Sequence, residues 1–195
     1  IEWKTSTNAV PYEKALSFME NRVDGIIRGE QNELIWALEH PPIYTSGTSS
    51  KKEDLLNPKN LPVYEAKRGG QYTYHGPGQR VIYVMLDLNK RGRDLRKFVK
   101  NLENWIIYTL SDFEIECFTR HDRIGVWVKR PEKPSSLKVD ACEEKIAAVG
   151  IRLRKWISFH GISVNVDPEL RHYEGIVPCG ISDYGVTSMR DLGKN

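Results

Sequence analysis

Arg68-Gly69-Gly70-Gln71-Tyr72-Thr73-Tyr74-His75-Gly76-Pro77-Gly78-Gln79, followed after Arg80 by the run Val81-Ile82-Tyr83-Val84-Met85-Leu86, is the most informative stretch of the chain. Five charged or hydrogen-bonding side chains (Arg68, Gln71, Thr73, His75, Gln79) are interleaved with four glycines and one proline. Glycines allow left-handed backbone and close approach to a ligand, a density ordinary surface loops seldom need. The apolar run reads as a buried strand. A rigid loop that presents Arg, His and amides beside such a strand predicts a pocket for a small acyl or phosphate-bearing group. The competing reading is a plain solvated turn, which Gly-Pro-Gly clusters commonly mark. Two phosphate loops are excluded: no Gly-Lys-Ser/Thr closes the segment, and a strand rather than a helix follows glycines of the wrong spacing for a dinucleotide fingerprint.

Working outward, Pro11 to Ile27 places Tyr12, Ala15, Leu16, Met19, Val23 and Ile26 close to helical period, and Gly29 ends the run. Residues 32 to 38 read as a strand stopped by His40-Pro41-Pro42, and the next twenty residues as loop. Pro62 to Ala66 is a short strand leading into the glycine loop, and Val81 to Leu88 the buried strand after it. Asp94 is placed to cap a helix running to about Leu110, with Leu95, Phe98, Val99, Leu102, Trp105, Ile106 and Leu110 inward. Phe113 to Cys117, Ile124 to Lys129, Lys145 to Arg154 and Gly161 to Val166 read as strands, with a polar hairpin loop or insertion from Arg130 to Asp140. The fold class expected is α+β, one domain over residues 1–195 with a central mixed β-sheet flanked by helices.

The length of 195 residues suits one domain with a proper core. No apolar run approaches the roughly 20 residues of a membrane span, and no signal-peptide pattern opens the chain. Three widely spaced cysteines do not make a disulfide framework, so a reducing, cytoplasmic setting is expected. The net charge is +3, but Lys90, Arg91, Arg93, Arg96, Lys97 and Lys100 crowd one stretch, and Arg152, Arg154 and Lys155 another. Such clusters attract an acidic protein partner as well as nucleic acid, and the lack of interleaved aromatics argues against single-strand stacking. An ordinary solvated face is the third reading of either cluster.

For chemistry, Cys179 sits in Val177-Pro178-Cys179-Gly180, a tight turn able to hold a thiol at a pocket edge. Cys117 falls in a strand pattern and Cys142 in an acidic loop, so Cys179 is the nucleophile candidate, against the alternative of an inert buried thiol. Only a thiolate attacks, so a base is needed, and His75, His160 or a buried lysine qualifies. Lys145 opens the apolar segment Ile146-Ala147-Ala148-Val149-Gly150-Ile151, where burial would lower an amine's pKa; a solvated amine at a strand start is the alternative. No His/Cys pair has metal-ligand spacing, so no metal is expected. Thr45-Ser46-Gly47-Thr48-Ser49 does not supply the Gly-x-Ser-x-Gly elbow of a serine hydrolase.

Taken in order, Glu39-His40-Pro41-Pro42, the Arg68–Gln79 segment, Gly125-Val126-Trp127-Val128, Lys145-Ile146-Ala147-Ala148-Val149-Gly150, Ser158-Phe159-His160-Gly161, Asn165-Val166 and Pro178-Cys179-Gly180 resemble the lipoyl(octanoyl) transferase family over about residues 33 to 181. The resemblance implies the fold shared by biotin- and lipoate-protein ligases. It implies transfer of octanoyl from the phosphopantetheine thioester of acyl carrier protein to a lysine of lipoyl domains, in 2-oxoacid dehydrogenase E2 subunits and the glycine cleavage H protein, with no further cofactor and no ATP. By the same resemblance Cys179 is the nucleophile and Lys145 the residue that lowers the thiol's pKa and shuttles the proton. The acyl group is expected against Arg68, Gly69, Gly70, Gln71, Tyr72, Thr73, Tyr74 and His75, with Ala148, Val149, Gly150, Gly161, Ile162 and Ser163, and His160 in support. A monomer is expected, with no nucleic acid or membrane partner. Acidic acyl carrier protein is expected on the Lys90–Lys100 helix or the Arg152–Lys155 face. An ATP-dependent lipoate- or biotin-protein ligase is the rival enzyme; its Gly-Gly-Gly or Gly-Arg-Gly-Arg loops are missing and it does not need Cys179. A scaffold or nucleic-acid-binding domain leaves the Arg68–Gln79 loop unexplained. The 130–144 segment is longer and more charged than the family's compact hairpin.

Overall fold

The computed structural model describes residues 1–57, 61–133, 142–178 and 184–194. Its centre is a mixed seven-stranded sheet in which β1 (Glu2–Thr5), β2 (Leu34–Leu38), β6 (Gln79–Met85), β9 (Ile157–Asn165) and β8 (Cys142–Arg154) lie side by side. Beyond them β8 pairs β7 (Val126–Arg130) antiparallel and β10 (Gly185–Val186) parallel. A second sheet of β4 (Val63–Glu65), β3 (Ile43–Ser46) and β5 (Thr73–His75) carries the glycine-rich segment.

Side-chain alternation along the strands explains why two helices are enough to cover the main sheet. Leu34, Trp36 and Leu38 of β2 and Val81, Tyr83 and Met85 of β6 face α1 (Tyr12–Arg28), whose Ala15, Met19 and Val23 are fully buried against them. Ile35 and Val84 point the other way, into the core built by Phe98, Leu102, Ile106 and Leu110 of α2 (Leu95–Ser111). A strand buried on both faces must be apolar at nearly every position, hence the Val81–Leu86 run. Each large apolar side chain sealed in this way contributes about 1.5–3 kcal/mol. The ends follow local chemistry: Asp94 accepts the Lys97 N–H at the start of α2, and Gly29, at φ 75°, ends α1 in the left-handed conformation.

The α+β reading with a central mixed sheet holds, while several local expectations change. The stretch after Pro42, expected to be loop, contains β3, and the glycine-rich segment itself contains β5. Strands β1 and β10 had no sequence expectation. Phe113 to Cys117 is a turn leaving α2, with Glu114 at φ 56°, because Ile115 folds back into the α2 core. β8 and β9 begin earlier than expected, so Cys142 lies in a strand rather than a loop. Leu95 is 39% exposed rather than inward. Residues 134–140 of the charged connection lie outside the described residues.

Candidate active site

A cavity of about 520 Å³ lies where the Arg68–His75 segment meets β8 and β9. That volume suits a small-molecule or acyl ligand. β7 pairs β8 only as far as Ala147, and Gly69 meets the edge thus left open, donating its N–H to Ile151 O at 3.1 Å. The loop is also joined to the turn that leaves β3, through Gly47 N–H to Gln71 O, Thr48 N–H to Arg68 O and Ser49 N–H to Gly70 O. Gly150 makes room for the loop: a Cβ there would stand 2.8 Å from Arg68 Cδ.

The cavity brings together Arg68, Gly69, Gly70, Gln71, Thr73 and His75 from the loop. Ala148, Val149, Gly150, Gly161, Ile162 and Ser163 line it from β8 and β9, with His160 and Lys145. Tyr72 and Tyr74 do not line it. Alternation along β5 turns Tyr74 to the opposite face, where it stacks on His172 at 5.0 Å and meets Tyr173 edge-on, and Tyr72, just before the strand, packs into the same cluster. Cys179 lies outside the described residues. The chain before it, at Pro178, borders a small cleft shared with Lys145, Thr73, Ala148, Ser163 and Tyr173.

Lys145 is 7% exposed. Its Nζ lies 4.8 Å from the centre of the Trp127 ring and has no hydrogen-bond or carboxylate partner among the described residues. Gly125, at φ 127°, lets the side chain pass: a Cβ there would stand 3.2 Å from Lys145 Cε and 2.8 Å from Ala147 O. The Gly125 N–H is held by the buried Glu103 carboxylate of α2 at 3.0 Å.

The two histidines considered as bases are built differently. Burial pushes both His75 and His160 down to about 3. His75 Nδ1 lies 2.6 Å from Gln79 Oε1, and its Nε2 faces Thr45 Oγ1 at 3.4 Å. His160 stacks on Phe159, and its Nε2 has no partner among the described residues. Neutral, buried imidazoles of this kind shape a pocket rather than exchange protons near neutral pH. His40, lowered to about 4 by burial, is fixed between Val10 O and Tyr83 Oη, each at 2.6 Å.

Several lining residues had no sequence expectation as site residues. The sequence pattern marks Tyr12 and Tyr83 only as core, yet each brings a phenol to the wall. Arg123 also lines it, its guanidinium over the rings of Trp127 and Tyr184 and paired with Asp122 and Glu143. The one available signal was a tyrosine inside an otherwise aliphatic strand. Among the described residues no cluster of His, Cys, Asp or Glu is arranged to hold a metal ion, and no helix is long and apolar enough to cross a membrane.

A family model for the lipoyl protein ligase A/B catalytic domain matches residues 11–195. The chain belongs to that family. Its similarity is high to proteins named octanoyltransferase: 60% identity over 193 residues to that of Brucella melitensis, covering 99% of this chain and 73% of that protein. The octanoyltransferase of Cereibacter sphaeroides is 58% identical, with 99% and 88% covered. Among solved structures, lipoate-protein ligase A bound with ATP superposes with a TM-score of 0.65 at 13% identity, covering 98% of this chain and 78% of that one. The bipartite lipoate protein ligase of Thermoplasma acidophilum gives 0.59 at 15%, with 98% and 76% covered. At such identities these two likenesses establish the fold.

Proposed function

We propose that this chain does what its curated relatives are named for: it is an octanoyltransferase, an acyltransferase acting in protein lipoylation. The donor is octanoyl-acyl carrier protein. The acceptors are lysines of lipoyl domains, in 2-oxoacid dehydrogenase E2 subunits and the glycine cleavage H protein, and the reaction runs in the cytoplasm without ATP or another cofactor. The observation that carries the chemical reading is Lys145, buried at the cavity wall and sharing a cleft with Pro178, next in sequence to Cys179.

In the first half-reaction Lys145 takes the Cys179 thiol proton and the thiolate attacks the octanoyl carbonyl. Collapse of the tetrahedral intermediate breaks the pantetheine C–S bond, and Lys145 returns the proton to the leaving sulfur. A thioester is exchanged for a thioester, so no outside energy source is needed. In the second half-reaction the neutral lysine amine of the lipoyl domain attacks the octanoyl-cysteine. The proton lost from nitrogen passes through Lys145 to the departing Cys179 sulfur, and the more stable amide draws the sequence forward. The small side chains of Ala148, Gly150 and Gly161 leave space for the chain, whose burial contributes about 0.8 kcal/mol per methylene.

Of the two basic regions, the structure favours the start of α2 for carrier docking. Arg152 and Arg154 are engaged by Glu20 and Asp24 of α1. Arg96 and Lys97 are exposed beside Leu95 and Val99, which reach the cavity. The test is intact-protein mass spectrometry with octanoyl-acyl carrier protein, without ATP. One octanoyl adduct on the wild type, cleaved by hydroxylamine and missing from Cys179→Ser, is expected. An adduct that persists in Cys179→Ser, or lipoylation that runs only from free acid and ATP, overturns the reading.

A further inference from the structure

Behind the cavity the buried polar side chains form one line of hydrogen bonds. Arg68 Nη2 donates to Thr45 Oγ1 at 2.8 Å, Thr45 Oγ1 faces His75 Nε2 at 3.4 Å, and His75 Nδ1 lies 2.6 Å from Gln79 Oε1. Gln79 Nε2 donates to Asn165 Oδ1 and to Tyr173 Oη, each at 2.9 Å, and lies 3.1 Å from a third acceptor, Tyr74 O. Asn165 Nδ2 ends the line on Thr187 O at 2.9 Å. Thr45, Gln79 and Thr187 are fully buried, and Asn165 is 3% exposed.

The two ends fix the direction of every proton between them. A guanidinium only donates and a carbonyl only accepts. Asn165 therefore turns its amide nitrogen to Thr187 and its oxygen to Gln79. Gln79 then offers its oxygen to His75, which carries its proton on Nδ1 and receives the Thr45 hydroxyl at Nε2. Bonds aligned in one sense polarise one another, and a buried member left unmatched is expensive, so the line resists distortion.

Its course is informative. Tyr173 and Thr187 stand on either side of residues 179–183 in the chain, and the Thr187 N–H donates to Lys145 O at 3.0 Å. Arg68, at the other end, lines the cavity, whereas Gln79 does not. We infer that Gln79 is a positioning residue for acyl transfer: its amide holds the acyl-binding loop in register with Lys145 and with both chain segments flanking Cys179, without touching the acyl group. This rests on the acyl-enzyme reading above.

The test is single-turnover formation of the octanoyl adduct on the full chain, at varied octanoyl-acyl carrier protein, for wild type, Gln79→Met and Gln79→Glu. The glutamate keeps an acceptor for His75 but loses the donors to Asn165, Tyr173 and Tyr74 O. Both variants are expected to slow the step at saturating donor by about 10- to 100-fold, the size of a misplaced reacting group. The half-saturating donor concentration stays within about a factor of two, because carrier recognition is untouched. Tyr173→Phe, a gentler change that keeps the ring, is expected to show a smaller loss of the same kind and serves if Gln79→Met does not fold. Nitrogen-15 NMR of the wild type should show His75 protonated on Nδ1. Variants with wild-type rates at saturation, or with a changed half-saturation alone, overturn the positioning role, and His75 protonated on Nε2 overturns the proton direction. A wild type that forms no adduct while His75 carries its proton on Nδ1 overturns the acyl-enzyme reading itself.

Discussion

The two sides of the cavity are held by opposite means. On the loop side, Thr45, His75 and Gln79 are fixed to one another by directed hydrogen bonds, and burial keeps the imidazoles neutral. On the other side, Lys145 is placed by close packing: the missing Cβ of Gly125 leaves room for its side chain, Trp127 gives it an aromatic face, and no acceptor among the described residues engages its nitrogen. Binding a neutral acyl chain calls for a rigid wall with no spare charge. Moving a proton calls for a group whose bonds are not already taken.

The largest effect is expected where that contrast is sharpest. Lys145→Met should reduce transfer by about 10²–10⁴-fold, the usual contribution of a positioned acid–base group, with donor binding retained. Lys145→Arg keeps a long basic side chain and should be nearly as inactive, because a guanidinium stays protonated and cannot take up the thiol proton. Rates at saturating donor, measured beside donor affinity, check this. An arginine variant with near-wild-type turnover would break the contrast and reduce Lys145 to a fixed positive charge.

The loop side should fail in acid. His40, His75 and His160 sit at about 4, 3 and 3 when folded, against 6.5 for an ordinary histidine. Well above pH 6.5 both folded and unfolded imidazoles are neutral and contribute no pH dependence, while at pH 6.5 half of the unfolded ones are already protonated. As pH falls below 6.5 the unfolded chain takes up protons that the folded chain refuses, so stability is lost. The loss approaches about 1.4 kcal/mol per pH unit for each histidine, or about 3 kcal/mol for all three between pH 6.5 and 5.5. Carboxylates such as Glu143, held low by its hydrogen bond with Arg120, respond further down, below their ordinary 4.5. Urea midpoints at pH 7.5, 6.5 and 5.5 check the sign; a flat profile would mean that these rings protonate in the folded state.

A smaller effect is expected at the seam between the two sides. Gly150→Val would drive a side chain into Arg68, where a Cβ alone already falls at 2.8 Å from Cδ, and lift the guanidinium off Thr45. Overpacking of this kind costs about 1–3 kcal/mol, expected here as weaker acyl-donor binding with Lys145 chemistry preserved. Titration of donor against rate separates the two: a loss at saturation with unchanged affinity would place Arg68 among the reacting groups instead.

Much of this was legible in the chain. Helical period with Gly29 and Asp94 at the ends marked α1 and α2, and the Val81–Leu86 run marked a strand covered on both faces. The four residues of β3 were hidden behind Pro41-Pro42, and β1, exposed along its length at the sheet edge, has little apolar pattern to read. Phe113 to Cys117 alternates like a strand, but Ile115 is buried by a turn folding back on α2, which local pattern cannot distinguish. Cavity residues came from three separate stretches because each carried its own glycine or histidine signal. Tyr12 and Arg123 gave none and Tyr83 only its place in an aliphatic strand, since what brings them to the wall is packing between distant elements. Tyr72 and Tyr74 were expected there for the converse reason: a loop has no faces, and only the pairing of β5 turns Tyr74 to the far side, where Tyr72 packs with it.

The smallest effect concerns the approach of the donor. Arg96→Glu with Lys97→Glu, both exposed beside the Leu95 and Val99 rim, should raise the half-saturating concentration of octanoyl-acyl carrier protein severalfold at low salt and leave the rate at saturation unchanged. The effect should shrink as salt rises, because exposed charges farther apart than about 8 Å are largely screened at physiological ionic strength. Reversing Arg152 and Arg154 should behave differently: it breaks ion pairs to Glu20 and Asp24 of α1 and is expected to lower thermal stability by a modest amount while sparing donor affinity. Should the α1-side reversal weaken donor binding and the α2-side reversal spare it, the carrier approaches over α1, and the exposed cations at the start of α2 are an ordinary solvated face.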